Sequence, residues 1–161
     1  MSQKIVPNLW FDGEAEEAAN YYVDVFEDAK ILNVAKYPEI SPGEAGTVMT
    51  VEWELNGVRF VGINGGPQFK FDEAVSFQID CEDQAEVDYF WDRLTDGGEE
   101  SQCGWLKDRF GLSWQVVPRG METVFNDPDP EKAQRAMAAM MKMSKIDVAA
   151  LRAAAEGEPV G

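Results

Sequence analysis

The sequence predicts an α+β protein made of two βαβββ modules followed by C-terminal helices. Three observations carry that expectation: a strand, helix, strand, strand, strand order between Ile5 and Asn64, the same order again between Ala74 and Val117, and a switch to helical periodicity after Pro118. The expected organisation is a single domain over 1–161, with module one at 3–65, module two at 73–118 and a C-terminal helical extension at 119–155.

The first module opens on the apolar run Ile5 to Phe11, which stops at Asp12-Gly13. Apolar residues then fall at Ala15, Ala18, Ala19, Tyr22, Val25 and Phe26, the spacing of one helix face. Glu14, Glu16 and Glu17 crowd the first turn of that helix, where negative charge complements unpaired N–H groups and the positive end of the dipole. The stretches Lys30 to Tyr37, Gly46 to Leu55 and Val58 to Asn64 are rich in Val, Ile, Thr, Trp and Phe, which suit half-buried strands. Asn56-Gly57 between the last two predicts a tight hairpin, because both residues tolerate positive φ.

The second module repeats the order. A strand is expected from Ala74 to Asp80, then a helix with Val87, Phe90, Trp91 and Leu94 on its apolar face. Asp83 is placed to cap that helix, with Glu86 in the reciprocal position of a capping box, and Gly97-Gly98 stop it. Short strands are expected at Glu99 to Gly104, Trp105 to Arg109 and Leu112 to Val117, the last two joined through Phe110-Gly111. Gly57-Val58-Arg59-Phe60-Val61 aligns with Gly111-Leu112-Ser113-Trp114-Gln115, so the two modules read as an internal repeat whose second copy is abbreviated in its middle strands.

Beyond Pro118, Asp127-Pro128-Asp129-Pro130 predicts a capped helix with proline in its first turn, and Ala133, Ala136, Met137, Met140 and Met141 form one stripe. That stripe is expected to be a packing face against the sheet or a partner subunit. A shorter helix should run from Asp147 to Ala155, and Glu156 to Gly161 should fray.

Composition narrows the function. With Asp+Glu at 30 against Lys+Arg at 14, the formal charge of −16 repels nucleic-acid phosphates and anionic membrane surfaces, so neither is an expected partner. Asp12 interrupts the N-terminal stretch before a signal-peptide core could form, and no other segment suits a membrane span. The two cysteines, Cys81 and Cys103, lack CxxC spacing and fit a reducing, cytoplasmic setting. The chain has no histidine. Ser-His-Asp and Cys-His catalysis are therefore excluded, as are imidazole-ligated metals, and any general acid or base must be Asp, Glu, Lys, Tyr or Cys.

The strings PNLWFDGEAEEAANYY, NGGPQFKF, GGEESQCGWLKDRFGLSWQVVP and DPDPEKAQRAM, in that order and reaching to about Leu151, resemble the PhnB-like family of the vicinal-oxygen-chelate (glyoxalase/bleomycin-resistance) superfamily, often labelled as 3-demethylubiquinone 3-methyltransferase domains. The resemblance implies a glyoxalase-like fold in which the two modules form a curved mixed sheet around a cleft, a small organic molecule as ligand, and a homodimer. It places the superfamily's metal-ligand positions near Val6, Val61, Ala74 and Gln115, or, two residues along, near Asn8, Ile63, Ser76 and Val117 or Ser113. Side chains of those kinds hold divalent cations weakly without carboxylates to supply charge. The expected cofactor set is therefore none, and no metal residues are assigned.

Within that fold the linker Asn64-Gly65-Gly66-Pro67-Gln68-Phe69-Lys70-Phe71 should pass near the cleft. The candidate ligand-binding residues are Gln115, Trp105, Phe69, Gln68, Trp10, Asn64, Lys70 and Lys107. Aromatic rings with a few polar groups suit a small-molecule pocket, Gln115 would suffer desolvation on a central strand without a partner, and the lysines are scarce cations in an acidic chain. Catalytic residues are unassigned. The function expected is small-molecule binding without the usual metal centre. The alternatives are a metal-dependent lyase, isomerase or dioxygenase drawing on Glu52 or Glu54, and a methyltransferase as the family label suggests. The sequence has no G-x-G turn opening a helix to support the last.

Overall fold

The computed structural model describes residues 3–41 and 43–158. Residues 159–161, the end of the stretch expected to fray, lie outside it, as do the first two residues of the N-terminal stretch. The chain forms two compact units, Met1–Phe71 and Asp72–Gly161, each built on one four-stranded mixed sheet.

In the first unit the elements are β1 (Asn8–Phe11), α1 (Ala15–Val25), β2 (Ala29–Lys36), β3 (Val48–Leu55) and β4 (Val58–Asn64), with sheet order β1-β4-β3-β2. The first and last strands run parallel and the other neighbours antiparallel. Asn56 and Gly57 both adopt positive φ, 48° and 81°, as the expected hairpin demands. The first strand is shorter than its apolar run: Ile5 is exposed, and Pro7, which lacks an N–H, only accepts a bond from Val61.

Alternation along the strands sorts the side chains. Leu9, Phe11, Val51, Trp53, Leu55 and Phe60 are buried together with Ala15, Ala18, Ala19, Tyr22 and Val25 of α1, which packs on β2, β3 and β4. Burying each large apolar side chain contributes roughly 1.5–3 kcal/mol. Trp53 is stacked between Tyr22 and Phe60, at centroid distances of 5.9 and 5.8 Å. The opposite face carries Asn8, Trp10, Thr50, Glu52, Val61 and Ile63.

The second unit repeats this topology with β5 (Ser76–Cys81), α2 (Gln84–Thr95), β6 (Glu99–Glu100), β7 (Trp105–Lys107) and β8 (Ser113–Pro118), in sheet order β5-β8-β7-β6. Its middle strands are cut to two and three residues, as the abbreviated repeat predicts. Strand β5 begins two residues later than expected, because Asp72 accepts from the Ala74 N–H and turns the chain there. Asp83 caps α2 by accepting from Glu86 N, while Glu86 reaches back to the N–H of Glu82, one residue before the cap.

The C-terminal segment belongs to this second unit. It comprises α3 (Met121–Phe125), α4 (Pro130–Met140) and α5 (Val148–Ala155). Helix α3 spans only five residues, too few to leave a periodic signal in the sequence. Asp129 and Asp147 cap α4 and α5. Arg135 of α4 donates to the carbonyls of Ala154 and Ala155, closing the end of α5. The methionine stripe divides: Ala136 is buried, whereas Met137 and Met141 are exposed.

The link from this segment to the sheet is the loop before α5. Gln84 donates to Ile146 O and accepts from Val148 N, and the backbone N–H groups of Cys103 and Gly104 donate to Met143 O and Ser144 O. Ile146 is fully buried there, and a Cβ at Gly104 would lie 2.9 Å from Val116 O and 3.1 Å from the Ile146 side chain. Among the described residues no helix is long and apolar enough to cross a membrane.

Candidate functional site

The first unit carries a cleft of about 680 Å³ at the carboxyl ends of the parallel strands β1 and β4. Asp12, Gly13 and Glu16 form one wall where β1 gives way to α1. Tyr37, Gly43, Thr47 and Val48 come from the loop between β2 and β3 and its flanks, and Asn64, Gly65, Gly66 and Gln68 come from the segment after β4.

The candidate Asn64 lines this cleft, but its amide is already engaged. Its Oδ1 accepts from Ala15 N at 2.9 Å and its Nδ2 donates to Val48 O at 3.1 Å. Glu14, at the N-cap of α1, makes no side-chain capping bond, so Asn64 supplies that cap from β4. Its carbonyl oxygen accepts from Tyr37 Oη at 2.5 Å. One residue of β4 thus ties together α1, the start of β3 and the residue that follows β2. Gln68, also on the wall, is exposed and makes no hydrogen bond among the described residues.

Trp10 and Phe69 do not line the cleft; they form an edge-to-face pair at 4.9 Å beside it. Trp10 Nε1 donates to Gly66 O, and a Cβ at Gly65 would overlap the Trp10 indole, so this glycine is needed for the ring to lie against the loop. Gly66 has φ of +103°, which accounts for the second glycine as turn geometry. Lys70 is exposed and lines neither this cleft nor the pocket described next.

In the second unit, Trp105 and Lys107 line a smaller pocket of about 130 Å³ with Glu73, Glu99, Glu100 and Ser113. Lys107 is paired with Glu73. The side-chain hydrogen bond between them raises the lysine pKa and lowers that of the carboxylate. Gln115 stands opposite Trp105 in the ladder and next to Gln78, and its Nε2 donates to Ser76 Oγ at 2.9 Å, so its amide has a structural partner.

Sequence reasoning passed over Asp12, Gly13, Tyr37 and Thr47, although Asp12-Gly13 was already legible as the stop of the first strand. It also passed over Asp108, a buried carboxylate at the β7–β8 turn. Its Oδ1 accepts from the N–H groups of Phe110 and Leu112 and its Oδ2 from Trp114 Nε1.

Among the described residues, neither unit by itself presents a donor set suited to the metal that the resemblance implies. The expected positions Val6 and Ala74 fall outside β1 and β5. In the ladders, Val61 is flanked by Asn8 and Glu52, and Gln115 by Gln78 and Trp105, which gives a single carboxylate in the first row and none in the second. Among the described residues, no three His, Cys, Asp or Glu side chains gather as a cation-holding group.

Two βαβββ units with parallel outer pairing and the same strand order define a protein of the vicinal-oxygen-chelate superfamily, and solved structures agree. The PhnB protein of Bacillus cereus matches at 34% identity with a TM-score of 0.66, covering 72% of this chain and 99% of that one. A Pseudomonas aeruginosa protein matches in fold at 21% identity and TM-score 0.60, over 73% and 98% of the two chains. The fosfomycin resistance protein FosX of Listeria monocytogenes, solved with Mn(II) and sulfate, shares the fold at 16% identity and TM-score 0.50, over 76% and 96%. The chain belongs to the PhnB-like family described as 3-demethylubiquinone-9 3-methyltransferase, whose model matches residues 3–117. The match ends before the C-terminal helices, so the string DPDPEKAQRAM, read above as part of the resemblance, lies outside it. No curated protein matches the chain.

Proposed function

We propose that this protein binds a small organic molecule in the cleft of its first unit, and does so without a metal ion. The observation that carries the reading is the size and place of that cleft: about 680 Å³ at the carboxyl ends of two parallel strands, within the range that small-molecule sites occupy. Its walls offer the Gln68 amide, the Tyr37 ring and the carboxylates of Asp12 and Glu16, so a ligand would be held by hydrogen bonds and ring contact. The described donor sets give a metal-dependent lyase, isomerase or dioxygenase only Glu52 in the row beside Asn8 and Val61. The methyltransferase in the family's description needs a cofactor site, and the Gly65-Gly66 loop after β4 opens no helix. The protein acts as a homodimer in the cytoplasm in this reading. Its resemblance to the superfamily favours the dimer, and its free cysteines, Cys81 and Cys103, are compatible with a reducing compartment.

A thermal-shift screen over small metabolites tests the reading. A true ligand at a hundredfold excess over its Kd stabilises by about 2.7 kcal/mol, and Gln68→Trp, which crowds the cleft from an exposed position, should abolish the shift while leaving the melting temperature of the free protein unchanged. A screen in which nothing raises the melting temperature, or a shift indifferent to Gln68→Trp, overturns it. So does stoichiometric Mn, Fe, Ni or Zn that survives dialysis.

A further inference from the structure

We infer that the small pocket of the second unit is a recognition site for a protonated amine, independent of the cleft in the first unit. The inference starts from Ser113. This residue is 0% exposed, and its Oγ has no hydrogen-bond partner among the described residues. A buried hydroxyl in that condition costs about 1–3 kcal/mol unless something meets it. Ser113 also lines the pocket, and the ladder puts it on one face of the sheet in a polar row of Glu99, Lys107, Ser113 and Ser76. Its neighbour Ser76 Oγ accepts from Gln115, and Lys107 is taken up by Glu73, so neither serves it.

The surroundings select the ligand's charge. Glu73, Glu99 and Glu100 face one cation, Lys107, which leaves a net charge of 1 − 3 = −2 around the pocket. An anion is repelled. Glu100 already accepts from Trp91 Nε1 and Glu73 is hydrogen-bonded to Lys107, whereas Glu99 acts on Lys107 only through its charge, so Glu99 is the carboxylate left to hydrogen-bond a cation. Trp105 adds an aromatic ring, which attracts a positive charge placed over its face. An ammonium group would give one N–H to Glu99 and one to Ser113 Oγ. The volume, about 130 Å³, is roughly that of four waters at about 30 Å³ each, so the group it admits is an alkylammonium of a few heavy atoms, alone or as the end of a larger molecule.

The test uses the full-length protein and three small probes, ethylammonium, ethanol and acetate, titrated at constant ionic strength while the Trp105 indole N–H resonance is followed, assigned by its loss in Trp105→Phe. Ethylammonium should give a saturable shift that the other two do not. Ser113→Ala should weaken it by about tenfold and melt at or above the wild-type temperature, because it removes a buried hydroxyl that has no partner. Glu99→Gln, at an exposed position, should weaken it comparably with no change in melting. A linear shift, an equal response to ethanol or acetate, or undiminished binding in both variants overturns the inference. The cleft of the first unit is tested by other variants and other compounds, so either assignment can fail alone.

Discussion

Asp108 should be a costly side chain to lose from the second unit. It is 3% exposed, and its two oxygens accept from Phe110 N at 2.9 Å, Leu112 N at 3.1 Å and Trp114 Nε1 at 2.9 Å. The first two shape the turn between β7 and β8, and the third fixes an indole that is itself 3% exposed. Asp108→Asn keeps a carbonyl oxygen for the turn but sets an amide N–H against the indole N–H. One charge-assisted bond is lost, at about 1.5–3 kcal/mol. Asp108→Ala withdraws the acceptor from all three donors and should cost about 3–5 kcal/mol. Urea unfolding of Asp108→Asn, Trp114→Phe and the double variant isolates the indole bond, because phenylalanine has no N–H to strand. The cycle should return a coupling of at least about 1 kcal/mol. Additive single effects, or an Asp108→Ala cost below about 1 kcal/mol, would refute the view that this carboxylate organises the turn.

At the other unit, Asn64→Ala removes the bonds to Ala15 N and Val48 O and should lower stability by about 1–2 kcal/mol, read by urea titration. Asn64→Asp keeps the acceptor for the helix and should recover part of that loss. The cysteines should differ in reactivity. Burial, with help from the nearby charge of Glu86, pushes the Cys81 thiol up to about 12, while Cys103 is part-exposed, so mass spectrometry after iodoacetamide should find one modification in the native protein and two after unfolding. Because that thiol loses its proton more readily unfolded than folded, its contribution to stability is complete at neutral pH and declines as pH climbs from the ordinary thiol range towards about 12. Cys81→Ala should flatten the alkaline arm of a stability-against-pH curve.

The fold was open to sequence reading where local chemistry and periodicity agreed. Asn56-Gly57, the Asp83 and Glu86 cap, and the apolar spacing of α1 and α2 each left a signal that short-range physics interprets. The candidate site was less legible, because its residues come together through ladders. Asn64 looked like a cleft residue and does line one, yet its amide is spent on a helix end 49 positions away in sequence. Ser113 and Glu99 belong to one row only because β8 and β6 flank β7. Asp108 was hidden among loop charges, since nothing in its neighbours announces that a buried indole needs an acceptor. The methionine stripe was legible as a common face of α4, but helical spacing does not say what covers that face: in this chain Ala136 is buried along it, while Met137 and Met141 are exposed.

The backbone bonds from Cys103 and Gly104 to Met143 and Ser144 set a limit on how this protein can be trimmed. The family match stops at residue 117, which invites cutting the chain there. Such a cut would strip the N–H groups of Cys103 and Gly104, remove the isoleucine that fills the space beside Gly104, and leave Gln84 reaching for a loop that is gone. The appendage has become part of the masonry: a sheet whose middle strands are two and three residues long leans on the helices that follow it.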